Sequence, residues 1–427
     1  MMKYIIWGAG RRGKWTFRFL EEKNVLAFID GNSERVGEEF CGKKIISFEE
    51  AEETYHDFII VLTPSEGSNE IAHFLKSRSF YRFFKLDDLP MNLPCDERDE
   101  YSVDFSYNRQ FEYGFIGVDL FSICLYQKMT EAHATVRVAL TNEVHPDFVQ
   151  FLQKYISLSS REEIIENSDQ VIAAGEFFQS DCLEKFVTRE DFVMKHMLPI
   201  REDLLKFKNI HQGKRCFIVA TGPSLKVEDL DKLHANGDIC ISMNRIFNIF
   251  DRTKWRPDYY LIGDTEMIED LSEEIANLNL KYKFVATEPK SFWEMLPDND
   301  CFAYKLLLRG FVDKAPFFSS CIERGMGHGT TVTYLCIQLA VYMGFSEIYL
   351  LGVDCNYTKN LYDANNHFEG CDTNDNRIRL NTVYPERMLL AYEKAKEYCD
   401  EHEVKIYNAT RGGKLEVYKR VQFDHLF

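Results

Sequence analysis

The sequence predicts an α/β protein: two Rossmann-like parallel-sheet domains joined by a helical connector. Three observations carry this. A strand-like run at the start leads straight into Gly8-Ala9-Gly10-Arg11-Arg12-Gly13, a G-x-G-x-x-G pattern that opens a helix. A second series of short apolar runs, alternating with helical stretches, begins after Gly213. Between them, from Cys95 to His211, the strand pattern fades. The 427 residues fit two or three domains at about 150 residues each. The expected division is 1–93, 94–210 and 211–427.

Lys3–Trp7 (KYIIW) reads as a buried strand, and a helix follows through Trp15–Glu22. The next strand, Val25–Ile29, ends in Asp30. Glycines let the backbone turn tightly and approach a phosphate, and the helix start offers N–H donors. Asp30 stands where an acidic residue binds a ribose hydroxyl. Gly8, Gly10, Gly13 and Asp30 are therefore candidate nucleotide ligands. The alternative is a packing module whose glycines serve only the turn. A strand Phe58–Leu62, a helix Asn69–Ser77 and a strand Arg82–Leu86 complete this domain.

The connector opens with the polar stretch Cys95–Tyr107. Asp147–Tyr155, Arg161–Ile165 and Phe192–Phe207 have helical spacing, with Pro199 starting or kinking the last. No catalytic constellation stands out here, and His133, His145 and His196 read as structural or surface residues. The expected role is to pack the two nucleotide folds together or to form a homo-oligomer contact.

In the last domain, strands Cys216–Ala220, Ile239–Met243, Tyr259–Ile262, Tyr282–Ala286 and Glu347–Leu351 each run into a polar or glycine-rich end. Those ends are Thr221-Gly222-Pro223-Ser224, Asn244, Gly263-Asp264, Thr287-Glu288 and Gly352-Val353-Asp354. Gly325–Thr331 opens a helix through Met343. Ligands of open parallel sheets bind beyond the carboxyl ends of the strands, so these motifs converge on one cleft. The closing helix Pro385–His402 is scaffold, and the last strand, Val404–Tyr407, ends at Asn408-Ala409-Thr410 beside that cleft.

Each end has a chemistry. Gly222 and Ser224 leave a strand into a turn whose N–H groups suit a phosphate. Asn244 offers an amide, donor and acceptor, for a base or ribose. Asp264 and Asp354 are carboxylates for a ribose hydroxyl or a metal. Gly329, Thr330 and Thr331 start a helix that favours an anion, and their small side chains leave room for one. Tyr357 lies with Asp354 at the mouth of the last apolar strand. Tyr362–Asn376 is a polar candidate lid carrying His367, placed to act as a general base. His328 is a second histidine candidate. The structural alternatives are turns and helix caps for the glycine runs and the aspartates, and a surface histidine for His367.

Composition bounds the function. Net charge is −17, which argues against a nucleic-acid binder and against a protein held to anionic lipid by charge. The 12 cysteines are scattered without a CxxC, as in a reducing cytoplasm, and suggest neither disulfides nor a zinc site. The start reads as a first strand rather than a signal peptide. The most apolar stretch, Tyr334–Phe345, is too short to span a bilayer, which takes about 20 residues.

The segments GKRCFIVATGPSL, SMNRIF, WRPDYYLIGD, GHGTTVTYLCIQLAVYMGFSEIYLLGVD, NHF and YNATRGGKLEVYKRV resemble the MptE-like family, named for 6-hydroxymethylpterin diphosphokinase. That family includes motility-associated flagellin glycosyltransferases, and its pattern is similar to small bacterial sialyltransferases that use CMP-activated sugars. The resemblance covers residues 211–427. It implies that Gly222, Pro223, Ser224 and Asn244 contact the donor nucleotide. Gly329 and Thr330 would face its phosphate or base. Tyr357 and Tyr362 would supply phosphate-binding hydroxyls, and His367 would be the base. Asp264 falls where the sialyltransferases have an Asn. The start, WGAG-x-x-G with FIDGN, resembles the Rossmann-like domain of sugar O-acetyltransferases.

The expectation is a cytoplasmic bacterial glycosyltransferase of surface polysaccharide or glycoconjugate assembly. It would join a nucleotide-activated sugar, CMP-linked, to a glycan or glycolipid acceptor, inverting, with no tightly bound cofactor and no essential metal. One alternative is a Mg-dependent diphosphokinase with Asp264 and Asp354 as ligands. Another is a non-catalytic nucleotide-binding scaffold.

Overall fold

The computed structural model describes residues 2–64, 67–86, 111–131, 133–140, 144–173, 185–188, 192, 200–287, 290–295, 301–307, 316–356, 367–368 and 385–427. They form two compact units, one from Met1–Leu198 and one from Pro199–Arg309 and Asp313–Phe427. Both are α/β, as the sequence predicts.

The first unit begins with strands β1 (Tyr4–Trp7), β2 (Val25–Ile29), β3 (Glu39–Phe40), β4 (Lys43–Ile46), β5 (Ile59–Leu62) and β6 (Phe83–Lys85). They form one sheet in the order β3-β4-β2-β1-β5-β6, parallel except for the β3–β4 pair. Helices α1 (Arg11–Phe19) and α2 (Ser68–Ser77) belong to this layer. Ile5, Ile29, Phe58 and Ile60 are among its core residues. β1 and β5 are buried nearly throughout, which is why they read as continuous apolar runs.

The connector departs from the expected helical character. It carries strands β7 (Glu112–Ile116), β8 (Thr135–Ala139), β9 (Gln170–Ala173) and β10 (Phe186–Thr188) in a parallel sheet of order β10-β9-β7-β8. Helices α3 (Leu120–Glu131), α4 (Pro146–Leu152) and α5 (Arg161–Asn167) are interspersed, and the last two match the predicted helical stretches. The strands escape a pattern search because they are short and interrupted. Gly114 sits mid-strand, where glycine normally weakens β structure. A Cβ there would lie 2.3 Å from Ile164 Cγ2 of α5 and 2.7 Å from Ser168 Oγ, so the helix packs directly on the strand backbone.

This sheet joins the first sheet within one unit. Tyr4 donates to Gln127 Oε1 of α3 at 3.1 Å, Tyr81 stacks on His145, and Arg82 lies over the Phe151 ring. The Cys95–Tyr107 loop and His196 lie outside the described residues, as does most of Phe192–Phe207 up to residue 199.

The second unit starts near Pro199, upstream of the expected residue 211. Leu204 and Phe207 are buried in its core. The Phe207 ring meets Tyr282, Phe284 and Phe302 edge-on at 4.9–5.2 Å. Its strands are β11 (Arg215–Val219), β12 (Cys240–Met243), β13 (Tyr259–Ile262), β14 (Lys283–Ala286), β15 (Cys301–Tyr304), β16 (Leu306–Leu307), β17 (Met326–Gly327), β18 (Glu347–Leu351), β19 (Lys405–Asn408) and β20 (Lys419–Arg420). Eight make one parallel sheet, β15-β14-β13-β12-β11-β18-β19-β20, while β16 and β17 pair separately. From β11 the chain steps outward through β12 to β15, then returns to the other side of β11 as β18. The strand order therefore reverses between β11 and β18, the place where an open parallel sheet offers a ligand crevice beyond its carboxyl ends. Helices α6 (Val227–Asn236), α7 (Thr265–Asp270), α8 (Val332–Tyr342) and α9 (Pro385–Glu401) belong to this unit. Of these, α8 is buried almost all round, which explains its uniformly apolar sequence. Among the described residues no helix is long and apolar enough to cross a membrane.

Candidate functional site

The crevice is built by the loops after β11 and β18. Gly222 N–H donates to Gly352 O at 2.9 Å, tying the two loops together. A Cβ on Gly222 would lie 2.1 Å from Asp354 Oδ2 and 2.4 Å from Gly352 O, so only glycine permits this approach. The Ser224 hydroxyl donates to Asp354 Oδ2 at 2.8 Å, and the Ser224 N–H points at the same oxygen from 3.4 Å. Ser224 and Asp354 are thus partners of each other across the crevice. Burial pushes the Asp354 carboxyl above its usual range, and the Ser224 contacts partly offset this. Pro223 is exposed at the loop tip.

His367 comes to the same place. Phe368 N–H donates to Thr221 O at 2.9 Å, which pins this short segment to the end of β11. The His367 ring Nδ1 lies 3.4 Å from Thr221 Oγ1. Burial lowers the His367 pKa, the Thr221 backbone opposes this, and the Arg245 charge lowers it further. The ring is therefore neutral at neutral pH, the form that accepts a proton. Tyr357 and Tyr362 lie outside the described residues, as does the 362–376 lid apart from His367 and Phe368.

Asn244 ends β12 in the left-handed region, at φ 52°. Its carbonyl accepts the Tyr260 hydroxyl at 2.8 Å. Its buried amide Oδ1 has no hydrogen-bond partner among the described residues. An orphaned acceptor at a strand end is a group waiting for a donor. Four more non-glycine residues of this unit share the left-handed region, Asn209, Thr330, Cys355 and Glu403, and of these Thr330, at φ 58°, and Cys355, at φ 48°, stand in the predicted strand-end and helix-start motifs. Such conformations cost on the order of 1–3 kcal/mol each and cluster at binding and catalytic sites.

The helix start at Gly329-Thr330-Thr331 differs from expectation in one respect. The room beside Gly329 is already filled: a Cβ there would lie 2.5 Å from Tyr334 Cδ1 and 2.8 Å from Ala391 Cβ. The glycine serves helix packing, and any anion must approach the first-turn N–H groups from another side. Thr331 is the N-cap residue, with its hydroxyl 3.3 Å from the Tyr392 hydroxyl rather than on the helix. Asp264 caps α7, accepting Met267 N–H at 2.9 Å. Its charge raises the pKa of His328, which burial lowers. At the edge of the crevice the Thr410 hydroxyl accepts Val353 N–H at 3.0 Å, so the end of β19 also holds the β18 loop.

In the first unit, the glycine fingerprint has its expected shape. A Cβ on Gly13 would lie 1.8 Å from Gly8 O, and one on Gly8 would lie 2.3 Å from Thr63 Oγ1, while Gly10 is open. Asp30, however, faces the glycine loop itself. Its Oδ2 accepts Ala9 N–H at 2.8 Å and the Arg35 guanidinium at 3.1 Å, and its Oδ1 accepts Asn32 N–H at 3.0 Å.

Sequence reasoning did not single out Thr221 and Arg245 as groups acting on His367. The one available signal was adjacency, since Thr221 precedes Gly222 and Arg245 follows Asn244. Among the described residues no group of three or more His, Cys, Asp or Glu side chains is placed to hold a metal.

Residues 1–77 match the family described as C2185-like, N-terminal. A solved structure, that of the MAf glycosyltransferase from Magnetospirillum magneticum AMB-1, is similar at 14% identity and a TM-score of 0.34. The alignment covers 74% of this chain and 58% of that one, so the chain spans little more than half the length of that protein. No curated protein matches. Residues 193–360 match the family described as 6-hydroxymethylpterin diphosphokinase MptE-like. That span holds β11 to β18 and most of the site described above, so this part of the chain is similar to the MptE-like family.

Proposed function

We propose that the chain is a glycosyltransferase that uses a nucleotide-activated sugar, CMP-linked, to extend a glycan or glycolipid in surface polysaccharide or glycoconjugate assembly. The observation that carries this reading is the half-buried, neutral His367 held against Thr221 at the strand-order reversal. In this reading His367 takes the proton of an acceptor hydroxyl. The acceptor oxygen attacks the anomeric carbon, the bond from that carbon to the donor phosphate oxygen breaks, and CMP leaves with the electron pair. Attack from the face opposite the leaving group inverts the anomeric centre. First-turn N–H groups of α8 would stabilise the leaving phosphate. Asn244 would read the base or ribose through its unpartnered Oδ1.

The diphosphokinase reading needs Mg²⁺ on Asp264 and Asp354. The residues fit this poorly. Asp264 is engaged in capping α7, and Asp354 is half-buried and bonded to Ser224. These two engagements favour glycosyl transfer over phosphoryl transfer. The test is a thermal-shift panel on the full chain with CMP, UDP, GDP and ATP, followed by turnover of a CMP-sugar in EDTA. A ligand of the native state must stabilise it, so CMP is expected to raise Tm the most. Turnover lost in EDTA and restored by Mg²⁺ would sink the metal-free mechanism. No shift with any nucleotide would count against both enzymatic readings.

A further inference from the structure

The chain leaves β19 through Ala409-Thr410-Arg411-Gly412-Gly413-Lys414, a turn that lies against the β18 loop. Lys414 N–H donates to Asp354 O at 2.7 Å, and a Cβ on Gly413 would lie 2.5 Å from the same oxygen. Asp354 is therefore held at both ends, its carbonyl by this turn and its carboxylate by Ser224. Gly412, Gly413 and Lys414 are exposed, and both glycines are left-handed, at φ 70° and 73°. Glycine loses more backbone freedom on ordering than any other residue, so such a turn needs anchors. Two arginines supply them. Arg420 spans the turn, donating to Gly412 O at 2.6 Å and to Gly413 O at 3.3 Å. Arg411 ties the turn to α6: its guanidinium pairs with the buried carboxylate of Asp229 and, at 3.3 Å, with Asp424. These contacts close a ring. Ser224 meets Asp354, Asp354 meets Lys414, Arg411 meets Asp229, and the chain from Asp229 back to Ser224 completes it.

We infer that Arg411 is a positioning residue for the loop Gly222-Pro223-Ser224, acting through the glycine turn and Asp354 and touching no substrate itself. That this loop holds a donor nucleotide rests on the function proposed above. That Arg411 holds the loop rests on the ring of contacts alone. Helix α6 does not need Arg411 to keep its place, because Leu230 and Leu233 pack it into the core. The turn does need it, since no apolar side chain is buried between Ala409 and Leu415. Of the two Arg411 pairs, the one with Asp229 is desolvated and charge-assisted, whereas the one with exposed Asp424 is screened by solvent. The Asp229 pair is thus the anchor. Its loss loosens the turn, the Asp354 carbonyl and then the Ser224 contact, and leaves the sheet in place.

The test uses the full chain. Arg411→Gln alone would leave Asp229 as a buried, unpaired charge, so it is combined with Asp229→Asn. Hydrogen exchange without any ligand compares the amides of Gly222, Ser224 and Leu225 with those of β13. The D229N/R411Q variant is expected to speed loop exchange about tenfold, roughly what one hydrogen bond to a charged group contributes, with β13 at its wild-type rate. Calorimetric titration with CMP is expected to show binding about tenfold weaker than wild type. That loss should shrink to within about twofold in a Ser224→Ala background, because residues acting through one contact do not add. The inference is overturned if loop exchange stays at the wild-type rate or if β13 exchange rises equally. It is also overturned if the wild-type chain binds CMP and the variant binds it as tightly, or if the losses from D229N/R411Q and Ser224→Ala add. Faster loop exchange in the variant, with no CMP binding by the wild-type chain, would leave the positioning role standing and sink the CMP-donor reading.

Discussion

At His367, burial and the Arg245 charge both disfavour the protonated ring, and the Thr221 backbone opposes them. The net shift is downward, so the neutral form persists below the ordinary histidine value of 6.5. A base with a depressed pKa keeps working as the pH falls. The acid limb of kcat/KM for transfer is therefore expected below pH 6.5, and a limb above it would exclude His367 as the base. His367→Ala should lower transfer about 10²–10⁴-fold, the usual contribution of a general base, while CMP still raises Tm. Wild-type turnover in that variant would remove the assignment. Asp354 titrates the other way. Its folded-state carboxyl is raised by burial, so ionisation opposes folding. Its contribution is fully present below the ordinary value of 3.8 and is lost as pH rises through the raised one. Asp354→Asn should therefore gain on wild type in urea midpoint between about pH 4 and pH 7. An unchanged difference across that range would show that the carboxyl is not destabilised by burial. His367 was legible because Asn366-His367-Phe368 stands alone in a polar stretch. Its pairing with Thr221 was not, since 146 positions separate them and only the sheet order closes that gap.

Among elements, the strands of the second unit were legible and those of the connector were not. β11, β13 and β18 are buried nearly throughout, and a strand covered on both faces reads as one apolar run. β7 is equally buried but carries Gly114 at its centre. The glycine is there because α5 lies on the backbone, a fact about packing rather than propensity. Gly114→Ala should destabilise the first unit by about 1–3 kcal/mol, the usual range for forcing atoms into a packed core. A denaturation midpoint equal to wild type would show that α5 can move aside. The glycine runs of the second unit teach the same point. Gly222 and Gly329 mark turns correctly, but Asp354, Tyr334 and Ala391 fill the space a sequence reading leaves for an anion.

For the whole molecule, the division into units differs from a reading by motif. Motifs begin at Gly213, but the second core begins earlier, because Leu204 and Phe207 complete it. Phe207→Ala should cost about 3–5 kcal/mol, the usual loss for a buried aromatic. In calorimetry the transition of the second unit should fall while that of the first stays in place. A lowered transition in the first unit instead would reassign residues 200–210 to it.

The sequence by itself determined the α/β class, the glycine turns, the strand-end motifs and the acidic balance. These follow from local rules: burial periodicity, backbone freedom and charge count. The tertiary structure alone decided which of those groups meet. Asp354 faces Ser224, His367 faces Thr221, and Asp30 turns onto its own glycine loop beside Arg35. The physical reason is that a parallel sheet brings distant strand ends side by side. Its strand order is fixed by packing between whole layers, and that packing is not written in any one segment.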